Sequence, residues 1–186
     1  TERAASVASI PIINAGNGAG EHPTQALLDL YTIAKEQGTI DGLTVTLMGD
    51  LKFGRTVHSL VKLLRMYNVV LRFVSPEELK VPPEYLNQND TENTELSEVL
   101  SETDVLYITR VQKERLSNNV AIDFSYAITK NDMDKARDDM VLMHPLPRVG
   151  EIPPELDSDP RAAYFRQMQY GLYVRMALLV AMIGKD

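Results

Sequence analysis

The chain has 186 residues, 44% of them hydrophobic, which is ample for a packed core. A net charge of -7 and a pI near 5.0 exclude the basic stripe that tracks nucleic-acid phosphates, so any bound anion must be held by a few local cations. The absence of cysteine excludes disulfides, thiolate catalysis and cysteine-ligated zinc, and it suits a reducing compartment such as the cytoplasm.

Residues 10–15 (IPIINA) read as a short strand followed by the glycine loop 16–20 (GNGAG). A helix then starts near Pro23, where a missing N–H costs nothing. Its apolar positions Ala26, Leu27, Leu30, Tyr31 and Ala34 repeat at helical spacing until Gly38 stops it. Residues 43–48 are a strand, and 55–67 a second amphipathic helix through Val57, Leu60, Val61 and Leu64. Residues 69–74 form the next strand, and Ser75-Pro76-Glu77-Glu78 looks like a capped turn into a short helix. Residues 87–95 (NQNDTENTE) lack periodicity and read as a surface loop, and 96–100 give a helical turn before the strand 105–109. A further strand is expected at 124–128, a short helix at 132–137 and a last strand at 140–143. Strands separated by helices in this way imply right-handed parallel crossovers, hence an α/β fold with a parallel sheet flanked by helices. The start of the chain, Thr1-Glu2-Arg3-Ala4, has no apolar signal core, so secretory targeting is not expected. The apolar run 172–183 carries Arg175 and is shorter than the roughly 20 residues that span a bilayer, so it is expected to be a buried or docking helix.

Four polar clusters stand where strands give way to loops: His22-Pro23-Thr24-Gln25, the stretch from Gly49 to Thr56, Thr109-Arg110-Val111-Gln112, and the stretch from His144 to Arg148. In an open parallel sheet such positions converge on one crevice beyond the carboxyl ends of the strands. Gly16, Gly18 and Gly20 begin a dinucleotide fingerprint, but Glu21 stands where its third glycine belongs. His22 opens a helix, where backbone N–H groups favour an anion, and Gln25 follows one turn in; the plainer role for His22 is a cap. A neutral imidazole there can donate to an oxygen that develops negative charge, worth about 2.7 to 4 kcal/mol when preorganised. Arg55 and Thr56 open the next helix, and a cation there opposes the dipole, which points either to a bound carboxylate or phosphate or to a salt bridge with Asp50. Arg110 ends the apolar strand VLYIT and likewise needs an anion, and arginine is the residue suited to bidentate carboxylate recognition. The two prolines of His144-Pro145-Leu146-Pro147 fix a loop whose carbonyls at Pro145 and Leu146 can accept from an amine, or simply make a rigid turn. The histidines at 22, 58 and 144 lack zinc-binding spacing, so no metal is expected.

Taken together, GEHPTQALLDLYTI, GDLKFGRTVHSL, DVLYITRVQKER, MHPLPR and DSDPRAAYFRQ closely resemble the aspartate carbamoyltransferases, over residues 10–183. The run DSDPRAAYFRQMQYGLYVRMALL looks most like the eukaryotic forms, which in animals and fungi belong to multifunctional pyrimidine-synthesis polypeptides. The resemblance implies a Rossmann-like aspartate-binding domain and transfer of a carbamoyl group from carbamoyl phosphate to L-aspartate. It implies no metal and no organic cofactor, no nucleic acid and no membrane, a cytoplasmic enzyme, and a homotrimer with shared active sites. By the same resemblance His22, Gln25, Pro145 and Leu146 bind carbamoyl phosphate. Arg55, Thr56, Arg110, Gln112 and Leu146 bind aspartate, with His22, Arg55 and Arg110 catalytic. Ornithine carbamoyltransferases are similar in the His-Pro-x-Gln motif, but they carry a cysteine in the loop where Leu146 stands here.

The implied domain organisation is 1–22 as the end of a carbamoyl phosphate domain and 23–37 as a connecting helix. Residues 38–163 are then the aspartate-binding domain, and 164–186 a C-terminal helix returning toward the first domain. The family's amino-terminal Ser-Thr-Arg-Thr phosphate loop and the lysine loop from a neighbouring subunit have no counterpart here. The isolated chain is therefore expected to bind aspartate or a partner without turnover. The stretch 117–128 also reads a few residues shorter than in the family.

Overall fold

The computed structural model describes residues 1–18, 20–111 and 126–184. Five parallel strands form one sheet: β1 (Thr44–Met48), β2 (Val70–Val74), β3 (Thr91–Asn93), β4 (Val105–Ile108) and β5 (Val141–Met143). Their order is β3-β2-β1-β4-β5, with Val45 of β1 paired to Leu71 on one side and to Val105 on the other. The helices are α1 (Glu2–Ala5), α2 (Pro23–Gln37), α3 (Arg55–Leu64), α4 (Lys130–Lys135) and α5 (Tyr164–Ile183).

A sheet covered on both faces needs strands that are apolar on both sides, and alternation then decides which core each residue joins. Val45, Leu47, Leu71, Phe73, Val105 and Tyr107 meet Ile33 of α2 and Val57, Leu60, Val61 and Leu64 of α3. Met48, Val74, Leu106 and Ile108 meet Met133, Leu156 and Tyr164 on the opposite face. Thr46 joins that second face through its hydroxyl, 2.7 Å from the hydroxyl of Thr103. The helix α2 ends at Gly38, whose φ of 74° is the left-handed cap expected of glycine. At α4, Thr129 and Asp132 form a reciprocal capping box.

Several expectations need correction. Residues 10–15 form no strand. No neighbouring chain pairs with them among the described residues, Pro11 offers no N–H, and the Asn14 side chain accepts the Gly16 N–H at 2.9 Å. The polar stretch 87–95 contains edge strand β3, which escapes a hydrophobic pattern because Thr91, Glu92 and Asn93 pair with β2 on one side only. Residues 126–128 are not strand, although the buried Ile128 donates its N–H to the carbonyl of Glu151, and residues 124 and 125 lie outside the described residues. Helix α3 stops three residues early, and the short helix after Ser75 has Pro76 at its cap and no side-chain cap. On α2 the buried stripe runs through Ala26, Leu28, Asp29, Thr32 and Ile33, while Leu27 and Tyr31 face outward. Most of α5 is not buried: only Tyr164, Gln167 and Gly171 are, and Leu172, Met176 and Val180 stand exposed. Among the described residues no helix is long and apolar enough to cross a membrane.

Candidate functional site

The carboxyl ends of β1, β4 and β5 and the first turns of α2 and α3 enclose a crevice of about 230 Å³. It is lined by His22, Gln25, Arg55, Thr56, Arg110, His144, Pro145 and Leu146, together with Asp50, Phe53, Gly54, Thr109 and Pro147. The structure thus brings together seven of the eight residues singled out as site residues. The eighth, Gln112, lies outside the described residues.

Two glycines make the crevice possible. Gly49, with a φ of +115°, follows β1 where a Cβ would sit 2.2 Å from the carbonyl oxygen of Thr109, so the ends of β1 and β4 touch backbone to backbone. At the entrance to α3 a Cβ on Gly54 would lie 2.4 Å from the carbonyl oxygen of Asp50. The loop between them is drawn in by the Asp50 carboxylate, which accepts the Phe53 N–H at 2.9 Å. Arg55 and Thr56 therefore enter the crevice directly from the first turn of α3, and Arg110 enters from the end of β4, half-buried. The Arg55 guanidinium donates to the carbonyl of Gly18 at 2.8 Å and makes no ion pair with Asp50, so the salt-bridge alternative falls. The glycine loop therefore steadies an arginine, a role unrelated to a nucleotide fingerprint.

His22 occupies the N-cap position of α2, but its side chain makes no cap hydrogen bond. Its backbone N–H is held by the Ser59 hydroxyl at 2.9 Å, which ties the start of α2 to α3. Its Nδ1 is buried and has no hydrogen-bond partner among the described residues. Burial, and then the nearby charges of Arg55 and Arg175, hold the imidazole below its ordinary pKa. The ring is therefore neutral near pH 7, with one buried polar atom that takes no hydrogen bond among the described residues.

His144 plays another part. Its Nδ1 accepts the Leu146 N–H at 2.8 Å and so carries no proton, which leaves Nε2 as the donor to Glu151, also at 2.8 Å. Burial raises the Glu151 carboxyl, but hydrogen bonds from His144 and from the backbone outweigh it and hold the group below the usual range. His144 thereby shapes the loop in which Leu146 adopts a φ of 51°, a left-handed conformation that costs a leucine of order 1–3 kcal/mol. Such strain is kept where the geometry is needed.

Beneath the crevice lies a polar cluster that the sequence reading missed. Asp29 is fully buried and accepts from the amides of Gln25 (2.8 Å) and Gln167 (2.7 Å) and from the hydroxyl of Tyr107 (2.8 Å). Burial pushes its carboxyl up to about 7 despite these three bonds. The signal was available as an acidic residue three after Ala26 and four before Ile33, on the face that packs inward. Among the described residues no group of histidines and carboxylates is arranged to hold a metal ion.

Residues 41–182 match the family of the aspartate/ornithine carbamoyltransferase Asp/Orn binding domain, and residues 1–35 match that of the carbamoyl-P binding domain. The multifunctional protein pyr1-3 of Dictyostelium discoideum is 54% identical over 98% of this chain, which covers 9% of that protein. The aspartate carbamoyltransferase catalytic subunit of Archaeoglobus fulgidus is 51% identical over 95% of the chain, covering 60% of the subunit. Among solved structures, aspartate transcarbamoylase from Trypanosoma cruzi in complex with N-(phosphonacetyl)-L-aspartic acid superposes with a TM-score of 0.86 at 48% identity, over 96% of this chain and 59% of that one. The M. jannaschii catalytic subunit superposes with a TM-score of 0.91 at 43% identity, over all of this chain and 63% of that one. The chain therefore spans about three-fifths of its single-function relatives and under a tenth of the multifunctional ones.

Proposed function

This chain belongs to the aspartate/ornithine carbamoyltransferase family, and from that premise we propose that the polypeptide containing it transfers a carbamoyl group from carbamoyl phosphate to L-aspartate. The observation that carries the reading is the convergence of two guanidiniums, Arg55 and Arg110, on one crevice with the Nδ1 of a neutral histidine that has no partner among the described residues. Two cations side by side suit a dicarboxylate, and the planar fork of each suits one carboxylate. The amine of aspartate attacks the carbamoyl carbon, so an N–C bond forms as the C–O bond to phosphate breaks. The amine gives up a proton and phosphate leaves with the bonding pair. His22, neutral and desolvated, donates to the carbamoyl oxygen as it gains charge. Gln25, Pro145 and Leu146 complete the carbamoyl phosphate side, and Thr56, Gln112 and Leu146 assist with aspartate. Holding two reactants in line lowers the barrier without any group supplied from outside the substrates, an effect worth up to about 7 to 11 kcal/mol.

Aspartate is favoured over ornithine by the paired arginines and by Leu146 in place of the cysteine of the ornithine enzymes. The same reading assigns 1–22 to the end of a carbamoyl phosphate domain, 23–37 to a connecting helix, 38–163 to the aspartate-binding domain and 164–186 to the returning helix. It makes the enzyme a cytoplasmic homotrimer with shared sites, within a multifunctional pyrimidine-synthesis polypeptide.

The test is ureido-product formation by the chain alone and after mixing with a carbamoyl phosphate-binding domain. Carbamoyl-aspartate is expected only from the mixture, because half a site cannot favour the transition state over the bound substrates. Turnover by the chain alone would overturn the division of the site, and none in the mixture or in the full-length polypeptide would overturn the assignment. In the completed site His22→Ala should lower kcat about 10²- to 10³-fold with little change in the aspartate KM. A rise in KM alone would make His22 a cap.

A further inference from the structure

The carboxyl group of Asp29 is enclosed by α2, β4 and α5, and the groups that face it are Gln25, Tyr107, Gln167 and the more distant charge of Arg175. One oxygen, Oδ1, takes the amide nitrogens of both glutamines, while Oδ2 takes the tyrosine hydroxyl. An oxygen that only accepts settles which way each amide points, because a carbonyl turned toward it would be repelled. At Gln167 the result is visible: its Oε1 points away from Asp29 and accepts the backbone N–H of His144 at 2.9 Å. At Gln25 the same constraint turns Oε1 away from Asp29, and that oxygen takes no hydrogen bond among the described residues although Gln25 lines the crevice. A proton on this carboxyl belongs on Oδ2, since Tyr107 can turn its own hydroxyl toward Thr56, and Oδ1 is left as the shared acceptor in either state.

Resting on the carbamoyl-transfer reading, we propose that Asp29 is a positioning residue that fixes Gln25 with its carbonyl oxygen toward the crevice, so that the site selects a phosphorylated donor carrying an N–H there. A carbamoyl group presents its amide hydrogens to that acceptor. An acetyl group of nearly the same size presents a methyl to that oxygen and covers it without offering a hydrogen bond, which is the situation that gives a polar site its strongest discrimination. The single carboxylate thus sets two things at once: the polarity of the donor pocket through Gln25 and the seat of the His144 loop through Gln167.

The experiment compares kcat/KM for carbamoyl phosphate and for acetyl phosphate, with aspartate as acceptor, in the full-length polypeptide that carries this chain. Asp29→Leu, which removes the acceptor and keeps the bulk, should compress the preference for carbamoyl phosphate at least tenfold. Asp29→Asn, which can still offer Oδ1 to both glutamines, should hold the preference within about threefold. A folded Asp29→Leu protein with an unchanged preference would overturn the proposal, as would equal loss in both variants. If Asp29→Leu does not fold, hydrogen exchange of the wild-type side-chain amides decides. The Gln25 amide should exchange at least tenfold more slowly than that of the exposed Gln88, and equal rates would overturn the proposal. A wild-type polypeptide that transfers no carbamoyl group would refute the underlying functional reading instead, and the inference with it.

Discussion

Around β1 the chain satisfies itself. Val45, Leu47, Leu60, Leu71 and Val105 are fully enclosed, and Asp29 finds three partners without help from water. Along the outer side of α5, Leu172, Met176, Leu179, Val180 and Ile183 are all at least half exposed, and with Leu27 and Tyr31 the helix borders an apolar groove. The contrast separates two uses of apolar sequence. In the sheet it supplies the rigidity that lets Arg55, Arg110 and His22 be aimed, whereas the last turns of α5 add little to this chain's own stability.

The largest expected effect tests the first half of that contrast: Leu60→Ala should lower unfolding free energy by about 2–5 kcal/mol in denaturant titration. A loss below about 1 kcal/mol would mean that the α3 side of the sheet is looser than its burial implies. A comparable effect, on the order of 4 kcal/mol, is expected from pH. Asp29 rises from 3.8 to about 7 on folding, so between those values the folded chain holds a proton that the unfolded chain releases. Its contribution to stability is therefore complete below about pH 4 and is lost as the pH climbs through 7. The stability of wild type relative to Asp29→Asn should fall across that window, a subtraction that cancels surface carboxylates such as Asp157, which the Arg148 guanidinium holds down at about 2. A flat difference would show that Asp29 ionises normally.

Next in size is Arg110→Lys, which keeps the charge and loses the fork. In the completed enzyme it should cost at least about tenfold in kcat/KM for aspartate, since hydrogen bonds to charged groups contribute about 1.5 to 3 kcal/mol each. Succinate should compete with aspartate in the wild type and weaken in the variant, and unchanged inhibition would make Arg110 a structural ion-pair partner. The smallest effect belongs to the exposed helix face: Val180→Ser should change stability by no more than about 0.5 kcal/mol in the same titration. A larger loss would place the last turns of α5 in the folding unit after all.

Most of this was legible where one pattern dominates. Val57, Leu60, Val61 and Leu64 announce α3 by their spacing, and Gly38 and Pro23 punctuate α2 at the right places. The shared crevice was legible because its lining residues sit at strand ends and helix starts, a position fixed by topology once the sheet is parallel. What escaped depends on contacts between distant segments. Edge strand β3 is set by pairing with β2 and has no apolar alternation of its own, and residues 10–15 have strand composition but no pairing partner among the described residues. Asp29 was passed over because an acidic residue reads as solvent-facing until Gln167, 138 positions away, is known to donate to it. The part His144 plays was not legible either, because it depends on its two ring nitrogens meeting the Leu146 N–H and the Glu151 carboxylate.

The contact at Gly49 has an evolutionary reading. Alanine is the smallest possible change there, one methyl group, yet that carbon would lie 2.2 Å from the carbonyl oxygen of Thr109 on a backbone already at φ +115°. No neighbouring side chain can be trimmed to make room, because the obstacle is main chain. The separation between the arms that carry Asp50 and Arg110 is therefore not a quantity that gradual substitution can tune. A lineage seeking a longer or shorter ligand would have to alter the side chains around the crevice while its frame stayed fixed.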